Sequence, residues 1–158
     1  MWAWLAALLA LPVAGRLYQI WGERRDARRW PPPGRMIAGF HVLDSGTSGP
    51  PVVLEAGIAA SSASWKLVQD ELAGRFRVMS YDRRGLGYSR PAETPRTLEN
   101  LVEELDFVVE AAGIGKPFVL AGHSFGGLLV RHYAARFPEK VRALVLLDPL
   151  EPFEWSPL

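Results

Sequence analysis

The sequence predicts an α/β fold with a parallel sheet between layers of helix. Short apolar segments alternate with segments of helical periodicity. The apolar segments are hydrophobic throughout rather than at every second residue, as in a sheet covered on both faces. Turns rich in Gly and Pro separate the two kinds of segment. Strands joined through helices imply right-handed βαβ units.

Phe40 to Leu43 reads as a short strand, and Asp44 to Pro50 as a turn. Pro51 to Glu55 has the composition of a buried strand. Ala56 to Ser64 is a loop of small residues. Trp65 to Ala73 carries helical spacing, with Trp65, Leu67, Val68, Leu72 and Ala73 apolar. Phe76 to Tyr81 is a strand, and Arg83 to Pro95 a loop. Thr97 to Ala112 is a helix, because Leu101, Leu105, Val108, Val109 and Ala112 recur at three- and four-residue steps. Thr97 suits its N-cap, and Gly113 suits the residue after its end. Pro117 to Ala121 is a strand, Phe125 to Phe137 a helix and Val141 to Leu147 a strand.

The start of the chain is different. Met1 to Gly15 has no charged side chain, and Arg16 is followed by another apolar run. A helix from Trp2 to Trp21 would be about 28 Å long, near the thickness of a bilayer's hydrocarbon core. Trp2 and Trp4 stand at one end and Tyr18 and Trp21 at the other, where the interfaces would fall. Pro12 is the weak point of such a helix. Residues 1–22 are therefore expected to form a membrane anchor. A cleaved signal peptide is the alternative, with Val13-Ala14-Gly15 as its cleavage site but no positive n-region; an ordinary amphipathic helix is the other. Residues 23–35 read as a basic, Pro-rich linker. Arg24, Arg25, Arg28 and Arg29 would place the C-terminal side in the cytoplasm. Residues 36–158 hold the alternating strands and helices and are expected to form the N-terminal part of a larger α/β domain.

Composition excludes several functions. The 158 residues contain no cysteine, so a disulfide framework and a cysteine nucleophile are absent. Eighteen basic and seventeen acidic residues give a formal charge of +1, which provides no field for nucleic acid. Residues 1–35 hold six Arg against two acids, so the remainder is mildly acidic. No metal-ligand cluster or nucleotide fingerprint is present, and no cofactor is implied.

One motif carries chemistry. Gly122-His123-Ser124-Phe125-Gly126-Gly127 matches G-x-S-x-G between a predicted strand and a predicted helix. A nucleophilic serine must stand on a sharp, strained turn. Gly122 and Gly126 remove the side chains that would collide there. The same turn aims the N–H of Phe125 and the helix N-terminus at a developing oxyanion.

At these residues the sequence resembles the α/β-hydrolase family, over about Gly34 to Leu150. Two other segments share the resemblance: Val52 to Ile58, where the family has a strand ending in a tight turn, and Asp82-Arg83-Arg84-Gly85-Leu86-Gly87-Tyr88-Ser89, which matches its D-x-R-G-x-G-x-S loop. The Glu55-Ala56-Gly57 variant and the N-terminal segment look like a membrane-anchored bacterial branch. The resemblance implies a three-layer sheet in which Ser124 is the nucleophile and the N–H groups of Ile58 and Phe125 form the oxyanion hole. It implies a small-molecule acyl substrate; the membrane is expected as a partner through residues 1–21, from the apolar run itself. It places the loop from Asp82 to Ser89 beside the elbow in a structural role.

A serine needs a base, and the family order is Ser, then Asp or Glu, then His. His132 lies eight residues beyond Ser124 in the same helix, about 12 Å along its axis. His123 occupies the elbow position whose side chain packs beneath the strand end. His41 sits on an early strand. None of the three is a convincing base. Asp148 ends its strand at the edge where active sites of open sheets lie, and is a candidate acid. In the family a lid, two further strands and the catalytic His would follow that point. The sequence thus reads as an N-terminal fragment whose sheet is truncated after the strand that follows the nucleophile helix. That strand would be left as an apolar edge, and little esterase turnover is expected of the 158 residues alone. The alternatives are a non-catalytic, membrane-tethered relative and an acyltransferase on the same scaffold. A haloalkane dehalogenase is disfavoured, since that branch has Asp where Ser124 stands.

Overall fold

The computed structural model describes residues 2–151, the side chains of residues 2–9 excepted. The chain divides into two units, Met1–Pro33 and Gly34–Leu158.

The first unit is one helix, α1 (Trp2–Arg29), with Pro12 inside it. It continues well past Trp21 and takes in most of the segment expected as linker. It stops at Trp30, ahead of three consecutive prolines that offer no backbone N–H. Leu11, Val13, Leu17, Tyr18 and Trp21 are exposed along it. The guanidinium of Arg25 lies 5.1 Å from the Trp21 ring centroid. Among the described residues, no helix is long and apolar enough to cross a membrane. The bilayer-spanning helix expected over Trp2–Trp21 is therefore not shown. The Trp2 and Trp4 rings, expected at one interface, lie outside the described side chains.

The second unit contains a six-stranded sheet. Its strands are β1 (Arg35–Ile37), β2 (Phe40–Ser45), β3 (Pro51–Glu55), β4 (Arg77–Tyr81), β5 (Phe118–His123) and β6 (Val141–Leu147), in the spatial order β1-β2-β4-β3-β5-β6. β3, β4, β5 and β6 pair in parallel, as expected. β1 and β2 correct the expectation, because β1–β2 and β2–β4 are antiparallel and the sheet is mixed. β1 also begins at Arg35, inside the segment read as linker. Its hairpin turns at Ala38 and Gly39, both at positive φ (48° and 87°). Such turns usually announce themselves through Asn or Asp, and alanine gives no such signal. Arg84 donates to the Ala38 carbonyl (3.1 Å), and the Arg90 N–H donates to the Gly39 carbonyl (2.9 Å).

Among the described residues, the α-helices of this unit are α2 (Lys66–Leu72), α3 (Leu98–Ala111) and α4 (Phe125–Arg136). They divide between the two faces of the sheet. Val53, Met79 and Leu120 pack with α3 and α4 in the larger core. Their neighbours Val52, Leu54, Val78 and Ala121 point the other way and pack with Trp65, Leu72 and Ala60. Period-two alternation of the backbone makes both faces apolar and gives the three-layer architecture. α3 presents Leu101, Val102, Leu105, Val108 and Val109 to the core. Burial of each stabilises the fold by roughly 1.5–3 kcal/mol before entropy is counted. Thr97 caps it by accepting from the Asn100 N–H (3.3 Å). At its other end Arg77 donates to the carbonyls of Ala112 (3.1 Å) and Gly113 (2.8 Å), groups the helix leaves unpaired.

Buried Gln69 ties α2 to the sheet. Its amide donates to Leu43 O, Ser45 Oγ and Val78 O, and accepts from Ser80 Oγ at 2.6 Å. β6 is the other edge of the sheet. Leu144, Val145, Leu146 and Leu147 are 37–45% exposed there, so this strand is not covered on both faces as the inner strands β3 and β4 are.

Candidate active site

Ser124 stands between β5 and α4, at φ 53° and ψ −121°. A residue with a Cβ holds a positive φ only when its surroundings impose it. Those surroundings are visible. The Ser124 N–H donates to Leu147 O (3.1 Å), and its carbonyl accepts from Gly127 (2.8 Å) and Leu150 (2.9 Å). The side chain makes no capping bond to the helix, so its hydroxyl is not used to start α4. A Cβ on Gly126 would come within 2.5 Å of Glu55 O and 2.6 Å of Ala56 O, and one on Gly122 would collide with the Gly126 carbonyl. The two glycines let the elbow sit directly on the end of β3.

The segment after β3 completes one wall. A Cβ on Gly57 would lie 3.5 Å from Ser124 Cβ, so the Gly57–Ile58 backbone passes beside the serine. The turn closes through the Ala60 N–H to Gly57 O (3.3 Å), with Ala59 at φ 52°. Ile58 is 60% exposed. Its N–H donates to no other group among the described residues. The strands that carry the two walls are adjacent, with Glu55 paired to Gly122. A cleft of about 510 Å³ opens beside them, lined in part by Ile58, Ala59, Leu86, Leu101 and Phe125.

Beneath the site lies a buried polar cluster. Glu55, 1% exposed, accepts from the Tyr81 hydroxyl (2.5 Å) and from Arg83. Arg83 also donates to Ala56 O at 2.8 Å and to Gly57 O. Burial pushes the Glu55 carboxyl up, while the charge of Arg83 and the Tyr81 hydroxyl pull it down. Burial and then the Glu55 charge hold the Tyr81 hydroxyl far above its ordinary value, so it remains a donor. Beside this cluster Asp82 fixes the following loop. It accepts from the N–H of Ser62 (2.7 Å) and of Tyr88 (2.9 Å), and its Oδ2 lies 2.9 Å from His41 Nδ1. Gly87 is at φ 52°, and a Cβ there would strike the Asp82 carboxylate.

Residues 50–158 match the family model described as the alpha/beta hydrolase fold. The chain belongs to the α/β-hydrolase family. Lipase LipV of Mycobacterium tuberculosis is 38% identical over 115 residues, covering 72% of this chain and 43% of that protein. A probable 1-acylglycerol-3-phosphate O-acyltransferase of Oryza sativa is 32% identical over 135 residues, covering 75% of this chain and 32% of that one. The crystal structure of a putative lipase from Acinetobacter baumannii superposes with a TM-score of 0.71 at 28% identity, over 78% of this chain and 42% of that one. The chain spans 30–44% of the length of the first relatives it matches.

Within this α/β-hydrolase, the structure brings Ser124, Ile58, Phe125, Gly122 and Gly126 together. It does not bring a histidine to the serine hydroxyl. His41 is buried against Asp82. His132 is exposed on α4. His123 is exposed rather than packed beneath the strand, and its ring lies against the Gly57 backbone: a Cβ on Gly57 would lie 3.3 Å from His123 Nδ1 and 3.5 Å from Ser124 Cβ. Asp148 follows β6 at φ 43° and is exposed. Its neighbours Leu147 and Leu150 bond to the Ser124 backbone, so it lies at the same end of the sheet. Arg83 and Glu55 are the residues that sequence reasoning missed. The motif fixes the Asp and the second Arg of the loop and leaves the Arg83 position variable.

Proposed function

We propose that the chain carries the nucleophile and oxyanion half of a serine hydrolase acting on an ester or related acyl bond. The Ser124 hydroxyl attacks the acyl carbon, and the N–H groups of Ile58 and Phe125 hold the developing oxyanion. Collapse of the tetrahedral adduct expels the alcohol and leaves Ser124 acylated; water then releases the acid. The observation that carries this reading is the positive φ of Ser124 at a strand-to-helix turn, beside an Ile58 N–H that, among the described residues, donates to no other group in the turn after β3. The names of the relatives support acyl chemistry.

No described imidazole reaches the hydroxyl, so a soluble base must stand in during the test. With a p-nitrophenyl acyl ester and added imidazole, the expected products are p-nitrophenol and the free acid. The rice relative's name gives weight to a second reading, acyl transfer to an alcohol. Glycerol included in the assay separates the two: accumulation of an acylglycerol favours transfer. Absence of any rate above the imidazole background favours a non-catalytic relative.

We also propose that α1 associates with membranes. Exposed Leu11, Leu17 and Trp21 supply apolar contact, and Arg24, Arg25, Arg28 and Arg29 supply charge for anionic headgroups. The protein should sediment with phosphatidylserine vesicles, and removal of residues 1–33 should leave it in the supernatant. Equal sedimentation of both forms would remove the membrane from the account.

A further inference from the structure

We infer that Arg83 positions the oxyanion hole, a role that rests on the nucleophile reading of Ser124. The geometry is that of one peptide plane. Arg83 donates to the Gly57 carbonyl from the buried side. The Gly57–Ile58 bond is trans, since the one cis bond among the described residues is Lys116–Pro117. In a trans peptide the N–H points opposite to the C=O. Holding the Gly57 carbonyl against Arg83 therefore turns the Ile58 N–H away from the core, towards the open side where Ile58 is exposed and Ser124 lies.

The guanidinium is well placed to be rigid. It is 5% exposed, bridges Glu55, Ala56 O and Gly57 O, and lies 5.5 Å from the ring centroid of Phe125. Phe125 carries the second oxyanion donor. One side chain thus braces both walls of the hole. A planar fork with five donors can meet a carboxylate and two carbonyls at once; an ammonium cannot hold the same directions. Glu55 in turn holds Arg83, and Tyr81 holds Glu55. Arg83 is a positioning residue, acting through the Ile58 N–H rather than on substrate.

The test is the rate at which a fluorophosphonate modifies Ser124, with imidazole present and peptide mass spectrometry as readout. That reaction places a phosphoryl oxygen where the oxyanion would sit. Arg83→Lys should slow it at least tenfold. Ile58→Pro, which removes the N–H itself, should slow it by 10²–10³. Combining the two should slow it no further than Ile58→Pro alone, because Arg83 acts through that N–H. If Arg83→Lys does not fold, the uncharged pair Glu55→Gln with Arg83→Gln replaces it, with the same expectation. An unchanged rate in the Arg83 variant, or independent losses in the combined variant, overturns the inference and leaves the Ser124 reading intact. Absence of any Ser124 adduct in the parent protein overturns the nucleophile reading, and this inference with it.

Discussion

Ser124→Ala is expected to bring imidazole-assisted hydrolysis of a p-nitrophenyl acyl ester down to the rate of imidazole alone. The parent chain should exceed that rate by ten- to a hundredfold. A soluble imidazole takes the proton less efficiently than one held in place, since proximity supplies a large part of the advantage. Without imidazole, the parent and Ser124→Ala should both be slow and differ little. The hydroxyl is a weak nucleophile without a base in reach: His41 is held on Asp82, His132 is exposed on α4, and His123, beside Gly57, makes no hydrogen bond to Ser124. A large Ser124-dependent rate in plain buffer would show that a base exists among these residues. His123 would then be the first to replace.

Glu55→Ala is expected to destabilise the hydrolase unit by about 3–5 kcal/mol, the usual cost of leaving one member of a buried ion pair behind. Arg83 would keep its charge at 5% exposure, and the Tyr81 hydroxyl would lose its acceptor. The urea midpoint reports the loss. Replacing both partners, Glu55→Met with Arg83→Met, should recover most of it, because two apolar side chains of similar volume leave no charge to desolvate. If Glu55→Ala costs under about 1 kcal/mol, the pair is solvated more than its burial implies.

The elements that position the site were legible because each has a local cause. Apolar runs bounded by turn residues marked β3 to β6. The three-and-four spacing of Leu101, Leu105, Val108 and Val109 marked α3. The glycines of the elbow marked Ser124, since a Cβ at either position would meet backbone. Other features depend on partners distant in sequence. The β1–β2 hairpin turns on an alanine at positive φ and leans on Arg84 and Arg90, more than forty residues on. The direction of β2 is set by its pairing with β4, and a strand's composition does not encode direction. Glu55 and Arg83 stand 28 positions apart, and each alone resembles a charged residue at a strand end. The reach of α1 beyond Trp21 was missed for a related reason. The arginines that mark an anchor's flank are also good helix formers.

The claim that Ser124 is the nucleophile of a strained elbow is tested most directly by mapping a fluorophosphonate adduct on the protein with imidazole present. The account predicts modification at Ser124, well ahead of Ser61, Ser64 and Ser89, and none at that peptide in Ser124→Ala. Modification spread evenly over the exposed serines, with Ser124 no faster than Ser64, would contradict it.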